Sequence, residues 1–268
     1  MSDEDPRLKL YETLELIEDY ITTGIKHSHD IPILKAEKTY TQHGTLQTPS
    51  SDKSQTRNPS QSQKIIPTKS ISLPELARNH SKMSGDTIEK IGKDAALCQA
   101  CRLFNYRKTA IAHTGQANAR LIILTDSPSS IDDSSGTLFS DEAGELLEKM
   151  LAAIGLSKNR DVIMLPITKC RTPNREPAPD EEMHCSKFIL RQLELISIPI
   201  ILAFGRVSAQ CCTGKTQEPL TSLRNTIHTV SIFTERRCVA TYHPRDVLAN
   251  AALKRPVWED LKILKTLL

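Results

Sequence analysis

Four short apolar runs rich in β-branched residues punctuate the chain: Leu121–Thr125, Val162–Pro166, Ile200–Phe204 and Val239–Tyr242. Runs of this length bounded by turn-forming residues predict strands buried on both faces. Between them the apolar spacing becomes helical, over Glu142–Ile154, over Asp180–Ile196 and over a shorter stretch after Gly205. A last helix is predicted from Pro256, a favoured first-turn residue, with Trp258, Leu261, Leu264 and Leu268 on one face. Strands alternating with helices predict an α/β fold whose four-stranded parallel sheet is covered on both sides. In such sheets functional groups gather beyond the carboxyl ends of the strands, where Thr125, Pro166, Gly205 and His243 fall.

The beginning of the chain reads differently. Within residues 1–35, the stretch 5–24 predicts an amphipathic helix, with Leu10, Leu14, Ile17 and Ile21 on one face and Gly24 as its stop. Of the 26 residues 47–72, 18 are Ser, Thr, Gln, Asn or Pro. That composition buries too little apolar surface to offset chain entropy, so 36–83 is expected to be a disordered linker before a globular domain at 84–268.

Charge narrows the partners. With 35 Lys and Arg against 32 Asp and Glu, any nucleic-acid site must be a local patch. No apolar run approaches the length of a membrane span, and MSDEDPRLKL lacks the apolar core of a signal peptide, so a cytoplasmic protein is expected. Aromatic residues make up only 4%, which leaves few rings to hold a flat ligand.

Seven cysteines in such a chain point to metal ligands or buried apolar residues rather than disulfides. Cys98 and Cys101 form C-x-x-C, two thiolates on one turn. Cys170 and Cys185 lie at the ends of a segment stiffened by Pro173, Pro177 and Pro179. Together these four suit zinc or an iron–sulfur cluster, and spacing does not choose between them. Cys211, Cys212 and Cys238, in a helix and beside a strand, read as buried apolar residues.

From Cys98 onward the chain resembles the family 4 uracil-DNA glycosylases. The resemblance rests on CQAC, FSDEAGELLEKMLAAIGL, KCRTPNREPAPDEEMHC, FGRVSAQ, LRN and TYHPRDVLANAALKRPVWEDLK, in the family's order over about two-thirds of the chain. It implies the uracil-glycosylase α/β/α fold and a structural [4Fe–4S] cluster on Cys98, Cys101, Cys170 and Cys185. It also implies a DNA substrate, single- or double-stranded, and a monomer. An enzyme of base-excision repair would flip a uracil, or another damaged base, and hydrolyse its N-glycosidic bond. The alternative is a catalytically impaired glycosylase fold that binds DNA. On either reading, the N-terminal helix docks on a replication or repair protein or packs back on the domain.

The resemblance also assigns residues. Phe139 matches the ring on which the base stacks, and His243 matches the histidine that donates to the uracil oxygen as the base departs. Arg245, Lys254 and Arg255 are candidates for phosphate contacts. The first loop, TDSPSSIDD, keeps an acid at Asp126 to orient a water and an acidic pair at Asp132–Asp133, with Ser127 beside the base. Thr125 and Ser129 stand where the family has glycines, which restricts the loop's backbone. At the end of the second strand the family has an asparagine that reads the base's polar edge. Here that position is Pro166, with no side-chain hydrogen-bonding group and no backbone N–H.

Overall fold

The computed structural model describes residues 70–81 and 84–268. The helix predicted at 5–24 and most of the polar stretch lie outside them. Six strands form one sheet: β1 (Thr114–Gly115), β2 (Leu121–Thr125), β3 (Val162–Pro166), β4 (Ile200–Phe204), β5 (Ile227–Ile232) and β6 (Thr234–Thr241). Their order is β1-β3-β2-β4-β6-β5. The four apolar runs fall in the central strands β3, β2, β4 and β6, all parallel, although β6 begins at Thr234, well ahead of its run, and ends before Tyr242.

The sheet thus has six strands where four were expected. The two extra ones are antiparallel edges, β1 on β3 and β5 on β6. In IHTVSI, exposed and half-buried side chains outnumber the buried ones, so β5 carries no continuous apolar run to announce it.

Side chains of the central strands alternate between two cores, as a pleated strand requires. Leu121, Ile123, Met164 and Leu202 face α4 (Glu142–Ala153) and α9 (Lys254–Lys265). Ile122, Leu124, Leu165 and Ala203 face α5 (Pro179–Leu195) and α6 (Arg206–Thr213). Helices on both faces of one sheet make the three layers.

Between these lie α2 (Ile88–Ala96), which packs on α5, and the short helices α3 (Ser130–Ser135), α7 (Leu220–Leu223) and α8 (Pro244–Ala249). Two of the matching motifs meet at the carboxyl end of β6. The buried Asp260 of WEDLK accepts Thr241 Oγ1 at 2.6 Å, Arg224 Nε at 2.8 Å and the Asn225 backbone N–H at 3.0 Å, tying α9 to LRN and β6.

One expectation is corrected at the domain's edge. Within the predicted linker 36–83, residues 73–78 form a helix, α1 (Leu73–Arg78), and its flank is in the core. Ile71 is 3% exposed and Leu73 is fully buried. The Ile71 N–H donates to the buried Glu182 carboxylate at 3.0 Å. The local signal was present but short. In S-L-P-E, Ser72 caps the helix by accepting from the Glu75 N–H at 3.4 Å, and Pro74 sits in the first turn.

Candidate active site and cysteine pocket

The carboxyl ends of β2, β3, β4 and β6 bring Thr125, Pro166, Gly205 and His243 to one edge of the sheet. His243 is the N-cap of α8, and Pro244 begins the helix behind it. Its Nδ1 accepts the Arg245 backbone N–H at 3.1 Å. A ring nitrogen that accepts carries no proton, so the neutral imidazole holds its proton on Nε2. Nε2 lies 3.1 Å from Thr125 Oγ1 and donates to it. Burial, helped by the Arg245 charge, pushes the His243 pKa down to about 3, so the ring is neutral at physiological pH.

Phe139 stacks on His243, with ring centroids 5.3 Å apart and planes 15° from parallel. Its edge meets Phe204 at 6.1 Å. The backbone that presents this ring is unusual, with φ of 55°, in the left-handed region that a bulky residue rarely adopts. Two partners hold it there. Lys158 Nζ donates to the Phe139 carbonyl at 3.1 Å. Gly144 lies so close that a Cβ on it would sit 1.8 Å from the same oxygen. The glycine of F-S-D-E-A-G is therefore a requirement of the ring's position.

In the first loop, Asp126 Oδ1 accepts the Ser208 N–H at 2.7 Å, at the start of α6. Its other oxygen lies over Gly205, where a Cβ would come within 2.6 Å. Although the residue as a whole is half-buried, its carboxyl is embedded, and burial raises its pKa to about 7 against the Ser208 hydrogen bond. Ser127 Oγ pairs with Thr172 Oγ1 at 3.0 Å, and Thr172 in turn donates to the Arg175 carbonyl at 2.6 Å. The loop is thereby joined to the segment between Cys170 and Cys185.

Asp132 is the node of the site. Its carboxylate accepts the Ser129 N–H at 2.9 Å, the Ser140 N–H at 3.0 Å and Arg245 Nη2 at 2.8 Å. One buried group thus ties α3 to the residue after Phe139 and to the loop of His243. Burial alone would raise its pKa, but the two N–H groups and the guanidinium outweigh it and leave the carboxyl below its usual range. Asp133 accepts from the backbone N–H groups of Lys108 and Thr109, at 2.9 and 3.0 Å. Arg245 is engaged by Asp132 and, at 3.2 Å, by Asp141. Lys254 and Arg255 are exposed at the start of α9.

Pro166 lies opposite Thr125 in the sheet register and is buried. Pairing continues past it, with Ile167 N–H to Thr125 O at 2.8 Å and Thr168 N–H to Asp126 O at 3.1 Å. The Thr168 hydroxyl bonds the Cys170 carbonyl at 3.3 Å. The Pro166 carbonyl accepts from the buried Lys169 Nζ at 2.7 Å.

Cys98, Cys101, Cys170 and Cys185 line one pocket, with Arg107, Lys169 and Phe188 among its walls. Arg107 Nη1 donates to Cys170 Sγ at 3.3 Å and to the Cys98 carbonyl at 2.8 Å. The Lys169 N–H donates to Cys185 Sγ at 3.2 Å. Burial pushes the Cys185 thiol up to about 12 and raises Cys170 and Cys101 as well. Among the described residues no three His, Cys, Asp or Glu side chains form a group that could hold a single metal ion. Cys211, Cys212 and Cys238 are fully buried in the sheet's other core, as expected.

Gly144, Gly205, Arg107 and Lys169 escaped the sequence reading as supports of these sites. The glycines stood inside the matching motifs, and their φ or close contacts were the only signal. Arg107 has no periodicity or spacing to mark it.

A fold with the site at these strand ends defines a class. The chain belongs to the uracil DNA glycosylase superfamily, whose sequence model matches residues 112–262. Within it, the chain is similar to one branch in particular. A type-4 uracil-DNA glycosylase of Saccharolobus solfataricus is 32% identical over 186 residues, 67% of this chain and 86% of the relative. One from Thermotoga maritima is 28% identical over 184 residues, 68% of this chain and 94% of the relative. A DNA polymerase of Bacillus phage SP01 is 30% identical over 155 residues, which cover 58% of this chain and 16% of the polymerase.

Proposed function

We propose that this chain is a DNA glycosylase of base-excision repair that hydrolyses the N-glycosidic bond of a uracil flipped out of DNA. The observation that carries this reading is His243, a buried neutral imidazole whose proton the Arg245 N–H fixes on Nε2. A fixed donor in a dry site stabilises the negative charge that develops on the departing base without transferring its own proton. Phe139 supplies the stacking face, and Ser127 borders the base. Asp126, ionised for part of the population at neutral pH, orients the attacking water with the oxygen that Ser208 leaves free. Lys254 and Arg255 meet phosphates, while Arg245 braces the His243 loop through Asp132 and Asp141.

The four cysteines fit a [4Fe–4S] cluster. They surround a pocket rather than a point, and backbone and guanidinium N–H groups already face two of the sulfurs, as thiolates bound to iron require. When bound, the cluster is a structural pin for the segment that carries Thr172. The chain acts as a cytoplasmic monomer, with residues 1–35 docking on a replication or repair protein.

The test is uracil release from a uracil-containing single-stranded oligonucleotide by the full chain. His243→Ala should lower the rate by about a hundredfold or more, and an unchanged rate in that variant overturns the reading. A second reading, a DNA-binding module with impaired catalysis, is favoured by one observation, the buried Pro166 at the base-reading position. DNA binding without release, by the natural chain and by Pro166→Asn alike, would establish it.

A further inference from the structure

The ring, the histidine and the strand end that would surround a base are in contact with one another. Phe139 is 2% exposed, Thr125 1% and His243 9%. By strand alternation Thr125 and its register neighbour Pro166 share the sheet face of Ile123 and Met164, the face on which Phe139 and Phe204 also pack. The donor that would meet the base oxygen is already spent, 3.1 Å from Thr125 Oγ1. With Nδ1 committed to the Arg245 N–H, the imidazole has no second proton to offer.

From this geometry we infer that the Thr125 side chain occupies the base site of the free protein and must be displaced before a base can enter. Its hydroxyl holds the His243 donor, and its methyl, beside the Pro166 ring, takes volume that a pyrimidine needs. The inference rests on the proposed glycosylase reading and concerns the same site. A base enters only by displacing the Thr125 side chain and taking over the Nε2–H bond. The cost falls after DNA is bound, so it slows release of the base and leaves affinity for the strand alone. A glycine at 125 removes both the hydroxyl and the methyl, and leaves His243 with its donor free.

The experiment compares the full natural chain with Thr125→Gly, Thr125→Ala and Thr125→Val, on one uracil-containing single strand. Single-turnover release, strand affinity and melting temperature are read for each. Thr125→Gly and Thr125→Ala should release uracil roughly tenfold faster or more, as relief of about one hydrogen bond and a steric contact implies. Their strand affinity should not change. Thr125→Val, which frees the donor but keeps the volume, should release uracil more slowly than Thr125→Gly and Thr125→Ala. The alanine variant guards against a folding defect from glycine, and its melting temperature verifies the fold. If the natural chain releases uracil and both small variants release it no faster, Thr125 is no obstacle and the inference fails while the glycosylase reading stands. If no variant releases a base from DNA that all of them bind, both fail together. Faster release by Thr125→Val, matching glycine, also overturns the inference, because volume then plays no part.

Discussion

Gly144→Ala isolates the support of Phe139. The added Cβ would stand 1.8 Å from the Phe139 carbonyl oxygen, and real contacts of this kind are not shorter than 3.0 Å. The carbonyl must therefore retreat by 3.0 − 1.8 = 1.2 Å. It cannot do so cheaply, because Lys158 holds the same oxygen and Phe139 is confined to positive φ. Overpacking of this kind costs about 1–3 kcal/mol of stability. The larger effect is on the site, since the ring moves with its backbone, and a displacement of about 1 Å in a positioned group costs on the order of a hundredfold in rate. Single-turnover uracil release should fall by about that factor, with strand affinity little changed. Gly92→Ala is the control. Gly92 lies in the middle of α2, and a Cβ added there would meet nothing within 4 Å, so alanine should stabilise the fold by about 0.5–1 kcal/mol and leave the rate alone. A Gly144→Ala enzyme that releases uracil at the natural rate would show that the ring's position does not matter to the reaction.

Three further outcomes are expected. The chain prepared without oxygen should carry about four irons and absorb broadly in the blue, and Cys185→Ser should lose both; stoichiometric zinc without iron refutes the cluster. Removal of residues 1–69 should leave the melting temperature near its natural value, whereas removal of 1–78 also takes away the buried Ile71 and Leu73 and should cost about 4 kcal/mol or more in chemical denaturation. Equal stability of the two truncations would refute the placement of α1. Asp126 has a folded pKa of about 7, above the unfolded value, so its contribution to stability is full below pH 3.8 and is lost as pH rises through 7. Asp126→Asn should therefore raise the melting temperature more at pH 8 than at pH 5, and should abolish any rise in release rate through pH 7; identical shifts at both pH values refute the buried carboxyl.

What the sequence showed and what it hid follow from the range of the interactions. The central strands were legible because burial on both faces needs an unbroken apolar run, and such runs are local. The four cysteines that line one pocket were legible because they fall in two pairs, one in a C-x-x-C turn and one at the ends of a proline-stiffened segment. The edge strand β5 was hidden because its half-exposed faces mix polar with apolar residues, and α1 because one buried leucine in it and one buried isoleucine before it are too few to form a period. Within the site the same division holds. His243 could be placed at a strand end from the run before it, but the tautomer depends on the Arg245 N–H and the donor's partner depends on Thr125, 118 residues away. The acidic pair was visible as Asp132–Asp133. That one of the two unites the loops of Phe139 and His243 depends on the crossing of three segments, which no local pattern encodes. Thr125 is the sharpest instance. As a letter in TDSPSSIDD it marks only a lost glycine, and the consequence appears only when the sheet sets β2 beside β3 and β6 delivers His243 to its hydroxyl. A substitution that looks like a defect of the loop is, on the inference above, a group competing with the substrate for the proton that His243 holds on Nε2.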